Sequence, residues 1–141
     1  MRVLGLDIGD RRVGIAVSDE TGTVAQGRGR YFRKSLDQDV AHLARLGHEI
    51  GAVAIVVGLP LNMDGTEGDQ ARKTRELAEA VASQAGLPLH YVDERLTTAE
   101  ADRALREGGL SRRKRKEYED ELSAVLILQG WLDRERGSTG L

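Results

Sequence analysis

The chain has no cysteine, only two prolines, and few rings: one tryptophan, three tyrosines and one phenylalanine in 141 residues. Without cysteine there is no disulfide framework, zinc knuckle, thiol nucleophile or iron–sulfur ligation. The three histidines, His42, His48 and His90, stand at no spacing that suits a metal. So few aromatics make a poor platform for stacking the successive bases of a single strand. The longest uncharged run ends at Met63 and contains Pro60, well short of the ~20 apolar residues of a membrane helix. The first residues read as a strand rather than a signal-peptide core, so a cytoplasmic protein is expected. Charge of one sign is also lacking: 21 Lys and Arg against 23 Asp and Glu leave a net −2, and no overall basic excess announces a nucleic-acid partner.

What is present is unevenly distributed. Arg112, Arg113, Lys114, Arg115 and Lys116 are consecutive, and Arg28, Arg30, Arg33 and Lys34 form a looser second set. One domain is expected over residues 1–136, with residues 137–141 a frayed tail. Arg2–Ile8 and Val13–Val17 are short apolar runs separated by a Gly-Asp-Arg-Arg turn, and Thr23–Phe32 follows the turn Asp19–Gly22. Short connections predict an antiparallel meander, with Gly27 and Gly29 weakening its third strand. Ser35 and Gln38 stand at capping-box spacing, and Leu36, Val40, Leu43, Gly47 and Ile50 share one helical face. Ala52–Val57 reads as a strand buried on both faces. A turn-rich stretch, Gly58–Gly68, precedes a helix from Asp69 to the stop at Gly86. Leu87–Val92 is a further strand. Thr97 and Glu100 cap a short helix ending near Gly108, and Ser111–Glu135 is a long last helix. The fold class is therefore α/β: a mixed five-stranded sheet, three antiparallel strands then parallel ones, flanked by helices.

Candidate chemistry lies where acids interrupt apolar pattern. Asp7 sits in an apolar strand, where Asp is depleted and a buried carboxylate needs a partner. Asp93 and Glu94 end the last strand, at the carboxyl edge where ligands gather in parallel sheets. Neighbouring strand residues face opposite ways, so only one of that pair can join Asp7. Asp120 shares a helical face with Ala124, Ile127 and Trp131 and so should face the sheet, while Glu119 and Glu121 point to the sides. A surface pair with Lys116 is the plain alternative for Asp120. Converging carboxylates cannot all ionise without a cation between them. Oxygen-only ligands suit Mg²⁺ or Mn²⁺, and two such ions about 3.5–4 Å apart clamp the attacking and leaving oxygens of a phosphodiester. Arg12, Arg95 and the run Arg112, Arg113, Lys114, Arg115, Lys116 are the candidate nucleic-acid contacts.

Three segments carry a resemblance. They are Gly5-Leu6-Asp7-Ile8-Gly9 with Arg12 and Gly14, Val57-Gly58-Leu59-Pro60-Leu61-Asn62-Met63-Asp64-Gly65, and Asp93-Glu94-Arg95-Leu96-Thr97-Thr98, followed by Asp120 with Ala124 and Ile127-Leu128-Gln129. In this order they resemble the YqgF family, also called RuvX, of the ribonuclease H-like superfamily. The likeness spans essentially the whole chain. It implies a metal-dependent acidic triad at Asp7, Glu94 and Asp120, in a nuclease acting on four-way DNA junctions or on the 5′ end of pre-16S ribosomal RNA. Asp10 departs from the family's usual Gly-Thr-Lys-Arg and adds a carboxylate beside the site, as spectator or extra ligand.

Three readings compete. A Mg²⁺- or Mn²⁺-dependent endonuclease leads, most readily on four-way junctions, with pre-ribosomal RNA as the alternative substrate. A non-catalytic RNA- or protein-binding module is the second. The third starts from Leu6-Asp7-Ile8-Gly9, which also resembles the phosphate-binding start of sugar kinases, but those close two such domains on their nucleotide. Junction resolution needs two symmetric cuts, so a homodimer is expected on the substrate.

Overall fold

The first strand, β1 (Arg2–Ile8), is apolar at nearly every position because it is covered on both faces. The computed structural model describes the backbone of residues 1–95 and 112–139, and the side chains of 1–95 and 118–137. Along the chain come β2 (Arg12–Ser18), β3 (Ala25–Phe32), α1 (Leu36–Glu49), β4 (Ala52–Leu59), α2 (Asp69–Ala85), β5 (Leu89–Asp93) and a long helix, α3 (Arg112–Thr139). The strands lie in the order β3-β2-β1-β4-β5. The first three form the antiparallel meander, and β4 and β5 add in parallel, Leu6 opposite Val57 and Gly58 opposite Val92.

Alternation along the strands divides the core in two. Leu4, Leu6, Ile8, Val13, Ile15, Ile55 and Val57 meet Val40 and Leu43 of α1 and Leu77 and Val81 of α2. On the opposite face Val3, Ala16, Ala54, Val56 and Val92 meet Ala124, Ile127, Leu128 and Leu132 of α3. Ser35 caps α1, its hydroxyl accepting from Gln38 N at 3.2 Å, and Gly86 ends α2 in the left-handed conformation at φ 69°. No described helix is long and apolar enough to cross a membrane. The short helix expected from Thr97 to Gly108 lies outside the described residues.

Two expectations about faces are corrected. Leu36 is 39% exposed, since it opens α1 beyond the edge of the core; the buried position beside it is Asp39. That carboxylate accepts from Tyr31 Oη, Arg33 Nε and Lys34 N, each at 2.9 Å. Burial opposes its charge, but these donors outweigh burial and hold Asp39 below the ordinary carboxylate range. Glu121 does not simply point aside: a Cβ on Gly27 would lie 2.0 Å from its Oε1. It rests on β3 because α3 crosses that strand as well as β2.

Candidate active site

The sheet face beneath α3 is paved with glycine where the helix comes closest. A Cβ on Gly14 would stand 1.9 Å from the carbonyl oxygen of Asp120, and one on Gly5 2.8 Å from Leu128 Cβ. A Cβ on Gly58 would stand 2.4 Å from Ile127 Cδ1 and 3.4 Å from Glu94 Cδ. With no side chains in between, α3 settles directly on β1, β2 and β4 and brings Asp120 toward the carboxyl end of β1. The register of β2 against β3 shifts between Gly14 and Ala16, with Gly29 at φ 79° supplying the extra residue's left-handed turn. The weakened stretch of β3 is thus a bulge beside this contact.

Asp7 points to the α3 face, two residues on from Gly5. Glu94, two residues after Val92, reaches the same face and hydrogen-bonds the Asp7 carboxylate. Asp93 faces the other way and accepts from Arg95, whose Nη2 lies 2.6 Å from its Oδ2. The last strand, expected to include Glu94, stops at Asp93, and Glu94 opens the helical backbone that follows; of the pair, Glu94 is the one that reaches Asp7. Burial pushes the Asp7 carboxyl up; the Glu94 bond works against that rise, and the Asp120 charge adds to it. Burial first, then the bond and the charge of Asp7, push Glu94 up to about 9. Both carboxyls are thus pushed toward their neutral forms. Asp93, bonded by Arg95, is held below its ordinary value.

Asp120 is partly buried, and Arg12 Nε stands 3.1 Å and Arg30 Nη1 3.9 Å from its Oδ2. Neither cation is aligned to donate, and this buried oxygen accepts no hydrogen bond from any described residue. Arg12 is thus drawn to a candidate acid, a partner its place in the sequence did not suggest. Lys116, the alternative partner, has its side chain outside the described residues, as do Arg112, Arg113, Lys114 and Arg115; only their helical backbone is described. Asp10 is exposed, with Lys73 Nζ 4.0 Å away, and it lines a neighbouring cleft with Arg11 and Lys34. Asp7 and Glu94 instead open on a cleft of about 350 Å³ with Gly9, Pro60, Leu61 and Arg95.

The donors suit a hard cation in kind. All are carboxylate oxygens, and Asp120 Oδ2 accepts no hydrogen bond among the described residues. Among the described residues no three acids are yet gathered into a closed metal cage, because Asp120 is turned toward the two arginines.

The strand order and the carboxylates gathered at the ends of β1 and β5 define the class, a ribonuclease H-like fold. It is shared with RuvC of Thermus thermophilus, solved with a Holliday junction substrate (TM-score 0.64, 18% identity, 98% of each chain covered). It is shared also with the fowlpox virus resolvase, solved with Holliday junction DNA (TM-score 0.61, 8% identity, 96% of this chain and 99% of that one). Within that class the chain belongs to the family described as "RuvX: Holliday junction resolvase", which matches residues 1–134. A relative from Clostridium novyi, named "Putative pre-16S rRNA nuclease", is 48% identical over 133 residues, 94% of this chain and 98% of its own.

Proposed function

We propose that this protein is a metal-dependent endonuclease that hydrolyses phosphodiester bonds in structured nucleic acid, with Asp7, Glu94 and Asp120 as its catalytic and metal-holding residues. The observation that carries the reading is the contact of Glu94 with Asp7 in one cleft, on the face that α3 brings Asp120 to cover. Two carboxyls in contact in a cleft destabilise one another's charged forms, and such perturbed pairs cluster at functional sites. Mg²⁺ or Mn²⁺ held by these acids supplies an activated water and charge stabilisation at the departing oxygen. The chain's own part is to hold the acids together at the end of the sheet and to bind phosphate. Arg12 and Arg95 border the acids, and Arg112, Arg113, Lys114, Arg115 and Lys116 open the helix that carries Asp120.

Two substrates are supported by separate observations. The family description and the fold neighbours favour a four-way DNA junction; the name of the Clostridium novyi relative favours the 5′ region of pre-16S RNA. We favour the junction, cut by a homodimer. Cleavage of a four-way DNA junction and of a folded pre-16S RNA fragment, side by side in Mn²⁺, decides between them. Cleavage of neither by the wild-type protein rejects the enzyme and leaves a binding module.

A further inference from the structure

The turn between β4 and α2 is not needed for the acidic cluster, yet it is built with unusual care. Leu61 pairs with Glu67 as an antiparallel bridge. Between them Asn62 N donates to Thr66 O at 2.8 Å and Gly65 N to Asn62 O at 2.9 Å. The Asn62 side chain donates to Thr66 Oγ1 at 3.0 Å, and Thr66 N and Oγ1 both donate to Asp64 Oδ1, at 3.0 and 2.6 Å. Gly65 takes φ 86°, which a side chain would disfavour. Both feet are tied down. Arg75 clamps Glu67 through two bonds of 2.6 and 2.9 Å. Arg95, next to Glu94, donates from Nη1 to the Met63 carbonyl at 3.2 Å.

At the tip of this braced turn stands Met63, 94% exposed, the most exposed of the large apolar side chains described. A single exposed apolar residue is ordinary on a protein surface. This one differs in being carried on a rigid support whose base, Pro60 and Leu61, lines the same cleft as Asp7 and Glu94. The Met63 side chain carries no charge and no donor for a phosphate, so the tip is no clamp for a backbone. An apolar side chain beside a phosphodiester site has one other surface to meet, the face of a base. Methionine is among the residues that wedge between base steps, at a cost of a few kcal/mol for unstacking. That cost is smallest where the stack is already interrupted.

Resting on the nuclease reading above, we propose that Met63 is a wedge that docks on an exposed base face at a branch, bulge or duplex end and so selects interrupted over continuous helices. The turn acts as a ruler. Arg95 links the wedge to Glu94 through one residue, so the base step it occupies sets which phosphate lies over the acids.

The chain has two methionines, Met1 and Met63, and both are exposed, so ¹³C-methyl methionine labelling yields two signals with an internal control. The labelled protein is titrated in EDTA with a four-way DNA junction, a bulged RNA hairpin, and an unbroken DNA and an unbroken RNA duplex of matched length. Fluorescence anisotropy measures binding in parallel. The Met63 methyl is expected to move upfield, into the ring current of a base, with the junction or the bulged RNA and not with the unbroken duplexes, while Met1 stays. Which of the two interrupted substrates moves it identifies the nucleic acid that is read. Met63→Ala is expected to lose about tenfold in preference for interrupted over continuous substrate, with duplex affinity unchanged and Met63→Leu retaining the preference. A Met63 signal that stays put in a complex seen by anisotropy overturns the wedge and leaves the nuclease reading standing. Binding to none of the four overturns both.

Discussion

A carboxylate inside a strand is disfavoured by its burial, and at Asp7 the hydrogen bond from Glu94 works against that burial without cancelling it. Asp7→Asn keeps the shape and removes the charge. Cleavage should be lost and nucleic-acid affinity kept or slightly raised. In a thermal melt, millimolar Mn²⁺ should raise the midpoint of the wild type but not of the variant. Full cleavage by the purified variant contradicts the assignment. Glu94 makes a prediction about stability. Its folded pKa, about 9, lies above the ordinary 4.5, so between those limits the folded state holds a proton that the unfolded state has lost. Stability is whole below about pH 4.5 and declines as pH rises toward about 9. Glu94→Gln cannot ionise and can still donate to Asp7. In EDTA at pH 8 it should be more stable than the wild type by more than about 1.4 kcal/mol, the worth of one pKa unit, and the gap should close near pH 4.5. A constant gap across that range in urea titrations means that Glu94 is not held protonated.

Among the elements, α3 owes its seat to glycines on the strands it crosses. Gly14→Ala sets a methyl against the Asp120 carbonyl. Overpacking of this kind costs about 1–3 kcal/mol and should lower cleavage as well, by lifting Asp120 off the sheet. Gly130 in α3 has nothing within 4 Å of its would-be Cβ, so Gly130→Ala should stabilise by about 0.8–1 kcal/mol through helix propensity alone. Opposite signs in urea denaturation check the pair; equal effects would show that contact with the sheet is not what matters at Gly14. The start of α3 bears no acid in its first turn, although acids suit the positive end of a helix dipole. A phosphate-binding role for the five cations there makes a testable prediction. Neutralising two of Arg112, Arg113, Lys114, Arg115 and Lys116 should weaken binding to all sequences. It should also reduce the slope of log affinity against log salt by roughly 0.9 for each phosphate that is no longer neutralised. An unchanged slope rejects a phosphate-binding role for the run.

For the whole molecule, a net charge of −2 means that nucleic acid can be bound only through local cationic patches. The described residues hold one acidic cluster, at one end of one sheet. Resolution of a two-fold symmetric junction needs two such clusters, hence two copies of the chain. Light scattering should show a dimer on junction DNA, and a cruciform plasmid should be linearised by paired cuts. A monomer that only nicks would move the preference to the RNA substrate.

Local pattern settled much of this in the sequence. The five strands, the Ser35 cap, the Gly86 stop and the two-sided burial of β4 all depend on neighbours within a few residues. Asp7 and Asp120 were legible for the same reason, each an acid set in apolar periodicity. Strand parity allowed one of Asp93 and Glu94 at the cluster, and the end of β5 at Asp93, with Glu94 in the helical backbone beyond it, decided for Glu94. The contact of Asp7 with Glu94, the turning of Arg12 and Arg30 to Asp120, the burial of Asp39 under Tyr31 and Arg33, and the seating of Glu121 on Gly27 were likewise decided by tertiary structure. Each of these joins strands and helices distant in sequence, and the energies of burial and charge that govern them exist only once the sheet has set those elements side by side.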